Sequence, residues 1–157
     1  MNNKELIDKE AREWVAADKP DVDPLITYLF VNKNLDMSHG KIGVQTARAA
    51  QVMLLNEMQH EDTLLLKSLD ELFQDSFMHG NKTICVRANE SQMNRLMSGD
   101  LSQKLEIIAK DNGIPIRTYP VYDIGATEVE PNSLTVVAMT PVYKSLIQPV
   151  VKKFQLY

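Results

Sequence analysis

The feature that most constrains the fold is the alternation of short, β-rich apolar runs with longer segments of helical periodicity. Because helical segments separate most of the runs, the runs are expected to pair in parallel through helical crossovers, whereas the short connection before the last run allows an antiparallel pair. The order therefore predicts an α/β fold, a three-layer α/β/α sandwich around a small four-stranded mixed sheet. The four predicted strands are LITYLFVN (25–32), KTICVRA (82–88), PIRTYPVYD (115–123) and LTVVAMTPV (134–142).

Helical segments account for much of the remaining chain. A last stretch, 143–154, is predicted as a short helix that Pro149 bends or interrupts, since proline lacks the backbone donor. For the same reason Pro120, inside the third predicted strand, favours an edge position for that strand. The other predicted helices span 39–56, 61–80 and 91–113, the last with a possible interruption near Gly99.

A further helix is predicted ahead of the sheet, over residues 3–18. Two prolines in DKPDVDP (18–24) end it, so the chain divides into an N-terminal helix and linker (1–24), a main domain (25–142) and a C-terminal tail (143–157) that is expected to be helical. An amphipathic helix of this kind can dock on a partner or on a second copy of the chain, so a homodimer is a possible assembly. Its apolar stripe consists of Leu6, Ile7, Ala11, Trp14 and Val15.

Composition and cysteine usage exclude several classes of function. The formal net charge of -4 argues against the class of strongly basic nucleic-acid-binding proteins. It does not exclude a nucleic-acid partner, because a local basic patch can form a binding face on an acidic protein. One cysteine, Cys85, allows neither an intramolecular disulfide nor a cysteine-based metal cluster, and the chain has no HExxH pattern, so no metal and no cofactor are expected. The polar N-terminus and the lack of an apolar stretch of membrane-spanning length predict a cytoplasmic protein without membrane association.

The segment DMSHGKIGVQTARAA (36–50) is typical of a helix that could present polar side chains to a ligand. Ser38 is a good N-cap, and the free backbone N–H groups behind it favour an anion, to which Lys41 adds positive charge. Lys41, Gln45 and Arg48 fall within about 60° of one another around the helix, as either a ligand-binding face or an ordinary solvated face. A different face, expected to lie against the sheet, comprises Gly43, Ala47, Ala50 and Leu54.

The loop DIGATEVEPNS (123–133) is the second candidate for a functional segment. Asp123 stands at the C-terminal end of a predicted strand, the position where ligands gather in α/β sheets. Its carboxylate could orient a water or accept the proton of one, and Thr127 could donate or accept a hydrogen bond. An ordinary turn-rich loop is the alternative at this point.

Taken together, the two segments resemble the type-2 peptidyl-tRNA hydrolase family. After its first strand that family carries a pattern close to R-x-D-L-K-M-G-K-G-K-[IVL]-A-A-Q-x-x-H-A, and this chain has NKNLDMSHGKIGVQTARA. The family's later loop is close to D-A-G-R-T-Q-[IV]-x-P-[GN]-[ST], before an apolar strand that ends in G-P, and this chain has DIGATEVEPNSLTVVAMTP. The likeness covers residues 26–142, with both motifs in the right order and spacing.

The resemblance implies hydrolysis of the ester bond between a peptide, or an N-blocked aminoacyl group, and tRNA, which releases free tRNA. It implies a mechanism without a metal. Asp123 would position or deprotonate a water, Lys41 would stabilise negative charge on the attacked carbonyl or the nearby phosphate, and Thr127 would complete the catalytic group by holding the substrate. Substrate binding is carried over to His39, Gly40, Gln45, Arg48 and Gly125.

Six departures from the family pattern support a different prediction, a non-catalytic binding or interaction protein on the same fold. Four of them replace an arginine or lysine of the family pattern and only Arg48 adds one, so the face expected to meet tRNA loses basic side chains, and phosphate contacts dominate nucleic-acid affinity. An esterase for another acylated, nucleotide-like substrate is a third prediction, and a tRNA-binding assay in a salt series helps to separate these classes. The departures are Asn32, Asn34, Asp36, His39, Arg48 and Ala126.

Overall fold

Strands and helices alternate along the described chain. A computed structural model describes residues 23–74, 82–125 and 128–157, so the predicted helix at 3–18 and the candidate residue Thr127 lie outside the described residues. The strands are β1 (Leu25–Asn32), β2 (Lys82–Ala88), β3 (Thr118–Asp123), β4 (Ser133–Tyr143) and β5 (Gln155–Leu156). The helices are α1 (His39–Glu57), α2 (Leu65–Gln74), α3 (Glu90–Ser98), α4 (Asp100–Asn112) and α5 (Lys144–Val151), and a short 3-10 turn follows β1 at Lys33–Leu35.

The described strands form one mixed sheet in the order β3-β4-β1-β2-β5. β1 and β2 run parallel, whereas the other neighbouring pairs are antiparallel. The prediction of four strands was wrong by one, because Gln155 and Leu156 add a short strand against β2. Two residues are too few to show the alternation of a strand, so no periodicity could reveal them.

Helices cover both faces of this sheet and complete the three layers that were predicted. β1 is buried at all eight positions, because it lies between two other strands and under helices on both faces. The core under α1 and α2 includes Leu29, Val31, Ala49, Met53, Leu65 and Val136. The core under α3, α4 and α5 includes Phe30, Met93, Leu96, Leu105, Met139 and Ile147.

β1 and β3 end at the same edge of the sheet, because both run antiparallel to β4, which lies between them. At this edge Asp123, the last residue of β3, is opposite Ser133, the first residue of β4. The chain leaves β1 at Asn32 and enters α1 at His39. The sheet topology therefore brings the two candidate segments, the start of α1 and the end of β3, to one place.

Most of the predicted boundaries were close to those observed. β1 and β2 have the predicted bounds, Pro120 lies on an edge strand, and the helical segment is interrupted at Gly99 between α3 and α4. α2 begins four residues later than predicted, at Leu65, whose N–H donates to the Thr63 hydroxyl across 3.2 Å. Residues 75–80, the predicted end of that helix, lie outside the described part of the chain.

Two later elements are shorter than predicted. β3 begins at Thr118 rather than at 115, and the Arg117 N–H before it donates to the Thr140 hydroxyl instead of a strand carbonyl. α5 carries Pro149 inside it and ends at Val151, after which the chain turns into β5.

Candidate active site

α1 starts with the N-cap that the sequence predicted. Ser38 has an extended backbone (ψ 159°), and its hydroxyl accepts a hydrogen bond from the Lys41 backbone N–H across 3.2 Å. Such a contact satisfies one of the donors that the first helical turn leaves unpaired. The side chain of Lys41 is only 12% exposed, so it turns inward and is not part of a solvated helix face.

The face of α1 that meets the sheet is not the one predicted. Gln45 and Glu57 belong to it, and hydrophobicity alone misplaces such a face because it assigns polar residues to solvent. Both find hydrogen-bond partners in the interior, which is the condition for burying a polar side chain. The buried stripe is Gln45, Ala49, Met53 and Glu57, whereas the residues predicted to face the sheet, Gly43, Ala47, Ala50 and Leu54, are exposed.

Asp123 is the centre of a small polar cluster under the start of α1. Its Oδ2 lies 2.6 Å from Lys41 Nζ and accepts a hydrogen bond from Gln45 Nε2 across 2.8 Å. Its Oδ1 accepts a hydrogen bond from the Gly125 N–H across 2.6 Å. The residue as a whole is 4% exposed. The Lys41 ammonium and the Gly125 N–H lower the pKa of the Asp123 carboxyl against the opposing effect of desolvation, so it is ionised at neutral pH.

Thr135 of β4 extends this cluster and was not predicted. Its hydroxyl lies 2.7 Å from Gln45 Oε1, to which it donates, and 3.1 Å from the Val121 carbonyl oxygen. It is fully buried. The signal available in the sequence was a threonine inside the apolar run LTVVAMTPV, which is a polar side chain within a buried strand and therefore needs a partner.

The other predicted site residues have different environments. His39 and Gly40 are exposed at the start of α1, and a side chain added at Gly40 would meet no atom within 4 Å. Arg48 is exposed on α1, and its charge lowers the pKa of Asp123 less than the Lys41 ammonium does. The structure thus brings together Lys41 and Asp123 with Gln45 and Gly125, and leaves His39, Gly40 and Arg48 on the outer rim.

The loop after β3 also contacts the start of α1 directly. Glu128 Oε2 accepts a hydrogen bond from the Ser38 N–H across 2.9 Å, and Glu128 Oε1 accepts one from the Ser38 hydroxyl across 2.5 Å. These two hydrogen bonds lower the pKa of the Glu128 carboxyl. Neither this contact nor a role for Glu128 was predicted, because a glutamate in a polar loop carries no sign of its distant partner.

Asn32 and Asn34, two of the six departures, have structural partners. Asn32 is buried at the end of β1, and its side-chain amide donates to the Leu134 carbonyl oxygen across 2.8 Å. Asn34 Oδ1 accepts from the Glu90 N–H across 3.0 Å, which ties the turn after β1 to the first residue of α3. Both asparagines therefore hold the edge of the sheet on which the cluster lies.

The cluster combines a low-pKa carboxylate, an ammonium group and a backbone N–H at the end of a strand, groups that can orient a water and stabilise an anion. Within the described ranges, no group of three or more histidine, cysteine, aspartate or glutamate side chains could hold a metal ion. None of the helices in those ranges has the combination of length and apolar character that crossing a membrane requires.

Comparisons with known proteins agree with the resemblance seen in the two motifs. A family model described as Peptidyl-tRNA hydrolase PTH2 matches residues 25–157, a range that starts at β1 and includes α5 and β5. A peptidyl-tRNA hydrolase of Thermoplasma acidophilum is 28% identical over 126 residues, which are 80% of this chain and 92% of the relative. A peptidyl-tRNA hydrolase of Thermococcus onnurineus is 30% identical over 123 residues, 78% of this chain and 88% of the relative.

Proposed function

The chain belongs to the Peptidyl-tRNA hydrolase PTH2 family, and we propose that it hydrolyses the ester bond between a peptide and tRNA at the centre formed by Lys41 and Asp123. The chain aligns with nearly the whole length of relatives that are peptidyl-tRNA hydrolases, which supports an enzyme rather than a binding module. The observation that carries the choice of residues is the ion pair of Lys41 Nζ and Asp123 Oδ2, 2.6 Å apart, at the edge of the sheet.

Asp123 acts on the attacking water. A carboxylate has about four acceptor positions on its two oxygens, and Asp123 receives Lys41 and Gln45 on Oδ2 and the Gly125 N–H on Oδ1. In the contacts of the described residues Oδ1 accepts one hydrogen bond, so it can accept a second from a water. Because its pKa is lowered, Asp123 is a weak base and orients the water better than it deprotonates it in the ground state.

Lys41 stabilises the negative charge that develops on the substrate carbonyl. When the water oxygen bonds to the ester carbonyl carbon, the carbonyl oxygen becomes an oxyanion, and an ammonium group already fixed nearby stabilises it without reorganisation. The bond from that carbon to the tRNA oxygen then breaks, the departing oxygen receives the proton that the attacking water has given up, and the products are free tRNA and a peptide with a free carboxyl group. Water is the only co-reactant in this balance.

The remaining predicted residues divide between positioning and binding. Gln45 was predicted to bind substrate, but its amide joins Asp123 to Thr135 in the interior, so a positioning role fits it better. His39, Gly40 and Arg48 are exposed beside the cluster and are the residues proposed to contact the RNA. A role for Thr127 in holding the substrate stays a prediction from the motif.

No feature of the described residues and no comparison favours the non-catalytic alternative. The proposed function also favours a cytoplasmic location, because peptidyl-tRNA is a product of translation. The homodimer suggested by the sequence also stays a prediction, which sedimentation equilibrium of the full chain would test.

The proposal is tested by release of a labelled N-acetyl-aminoacyl group from tRNA, with wild type, Lys41→Met and Lys152→Met compared below their unfolding temperatures. Lys152 is an exposed lysine at the end of α5, on the opposite face of the sheet, so it controls for the loss of one positive charge. Lys41→Met is expected to lose about 10²-fold or more in kcat, as when one oxyanion donor is removed. An inactive, folded wild type would contradict the function, and an active Lys41→Met would contradict the site.

A further inference from the structure

Among the contacts of the described residues, two bridges join the segments that carry the reaction centre. The first centres on Asp123, which both the Lys41 ammonium and the Gln45 amide of α1 contact. The second lies beside it and joins Ser38, three residues before Lys41, to Glu128, five residues after Asp123. The second bridge contains no group that the proposed reaction uses.

The geometry of the second bridge suits a carboxylate. Ser38 offers two donors, its N–H and its hydroxyl, and Glu128 meets each with a different oxygen, at 2.9 and 2.5 Å. The Ser38 oxygen in turn accepts the Lys41 N–H across 3.2 Å, so the contacts form a chain from the loop into the first turn of α1. Hydrogen bonds linked in this way strengthen one another, and those to an ionised group are the stronger kind.

The proposed reaction requires the two segments to stay in register. If Lys41 stabilises an oxyanion and Asp123 holds a water, both groups also contact the reacting atoms when substrate is present. The bridge of Ser38 and Glu128 stands outside the reacting atoms, so it keeps its partners and can hold the two segments in register throughout the reaction.

Resting on the proposed function, we propose that Glu128 is a positioning residue that acts through Ser38. It holds the loop after β3 against the start of α1, so that the Gly125 N–H stays on Asp123 Oδ1 while Lys41 and Asp123 act on the substrate and the water. Val129, the next residue, is buried in the core under α1 and anchors the loop from the other side. Small displacements of catalytic groups lower turnover steeply, which is why a contact outside the chemistry can affect it.

The chain offers a matched control in the same loop. Glu130 is exposed, and in the contacts described its backbone oxygen rather than its carboxylate accepts from Ser133. Glu128→Gln and Glu130→Gln each remove one negative charge near the place where RNA must bind. Only Glu128→Gln changes the bridge, because its amide can accept from the Ser38 N–H but must donate to the Ser38 hydroxyl oxygen, so neutral hydrogen bonds replace the two charge-assisted ones.

The test measures kcat and KM for release of the N-acetyl-aminoacyl group from tRNA by the full chain, with wild type, both glutamine variants, Ser38→Ala and the double variant Glu128→Gln/Ser38→Ala. Thermal unfolding confirms that each is folded at the assay temperature. Glu128→Gln is expected to lose about tenfold in kcat, the size of one charge-assisted hydrogen bond, and Glu130→Gln to keep wild-type kcat. Any fall in KM from reduced repulsion of RNA should be shared by both.

The double variant separates positioning from general damage. If Glu128 acts through Ser38, adding Ser38→Ala to Glu128→Gln should lower kcat much less than it does in wild type. Equal kcat for Glu128→Gln and Glu130→Gln, or losses that multiply in the double variant, would overturn the inference while leaving hydrolysis by wild type intact. An inactive wild type would instead overturn the proposed function.

Discussion

The Thr135 hydroxyl donates to Gln45 Oε1 across 2.7 Å, and together with the carboxylate of Asp123 it holds the Gln45 amide at both ends. With its oxygen on Thr135, Gln45 presents Nε2 to Asp123 Oδ2 across 2.8 Å. The reversed amide would direct an oxygen at a carboxylate and leave two acceptors facing each other. β4 thus orients a side chain of α1, which in turn holds the last residue of β3.

Thr135→Val keeps the shape of the side chain and removes the hydroxyl. Gln45 Oε1 is then buried without its donor, which costs about 1–3 kcal/mol of unfolding free energy. Gln45 also becomes free to turn away from Asp123, and we expect kcat to fall about tenfold or more. Thr135→Ser keeps the hydroxyl and should retain most of the kcat, so equal kcat values for the two variants would contradict the orienting role.

Gly125 is required by its backbone as well as by its N–H. Its φ is +77°, and an added Cβ would lie 2.4 Å from the Pro131 backbone nitrogen. Gly125→Ala must therefore move the loop and displace the N–H from Asp123. We expect more than about 1 kcal/mol of lost stability and about 10²-fold lower kcat.

Gly43→Ala provides the control for that prediction. Gly43 is a helical glycine of α1, and an added Cβ would meet no atom within 4 Å. Alanine should raise the unfolding free energy by about 0.5–1 kcal/mol and leave turnover unchanged. If Gly125→Ala behaved like Gly43→Ala in both measurements, the loop geometry would have no part in catalysis.

Glu57, in the last turn of α1, makes the free energy of unfolding depend on pH. Burial by itself raises its pKa, but hydrogen bonds from Arg117, Thr63 and Tyr119 lower the pKa of Glu57 to about 2. The carboxylate accepts from Arg117 at 2.6 and 2.9 Å and from Tyr119 at 2.5 Å. In the unfolded chain the same group has its usual pKa of 4.5.

Because the folded pKa lies below the unfolded one, the contribution of Glu57 is complete above about pH 4.5 and is lost as the pH falls toward 2. Its size is about 3 kcal/mol. Urea unfolding at pH 7, 4 and 3 should show a smaller loss of stability on acidification for Glu57→Gln than for wild type. Glu57→Gln should also be less stable at pH 7, since Arg117 loses its nearer carboxylate partner and keeps only the exposed Asp62 among the described residues. An unchanged pH dependence would contradict the assignment.

The sequence predicted the sheet better than the surfaces that meet on it. LITYLFVN gave the bounds of β1 because a buried strand is a continuous apolar run that polar residues delimit. KTICVRA gave those of β2 through its β-branched residues, although only Val86 and Ala88 are buried in it. The inward face of α1 was predicted wrongly, because Gln45 and Glu57 are buried through partners on other elements. Local hydrophobicity cannot contain that information, since the partners are distant in the chain.

The candidate site was predictable to a similar extent. Motif spacing identified Lys41 and Asp123, which the structure places in contact. Thr135 and Glu128 were missed because their importance depends on what they touch, Gln45 in one case and Ser38 in the other. Both contacts join residues about as far apart in the sequence as Lys41 and Asp123, and only the antiparallel placement of β4 between β1 and β3 brings them together.

The most direct test of the central claim is hydrolysis of N-acetyl-aminoacyl-tRNA by wild type and Asp123→Asn. The substitution keeps the shape of the side chain and removes the charge that faces Lys41 and orients the water. We predict that folded wild type releases the acyl group and that kcat for Asp123→Asn is about 10²–10⁴-fold lower, the range for loss of a positioned acid–base group. Turnover by Asp123→Asn at the wild-type rate would contradict the assignment of the reaction centre.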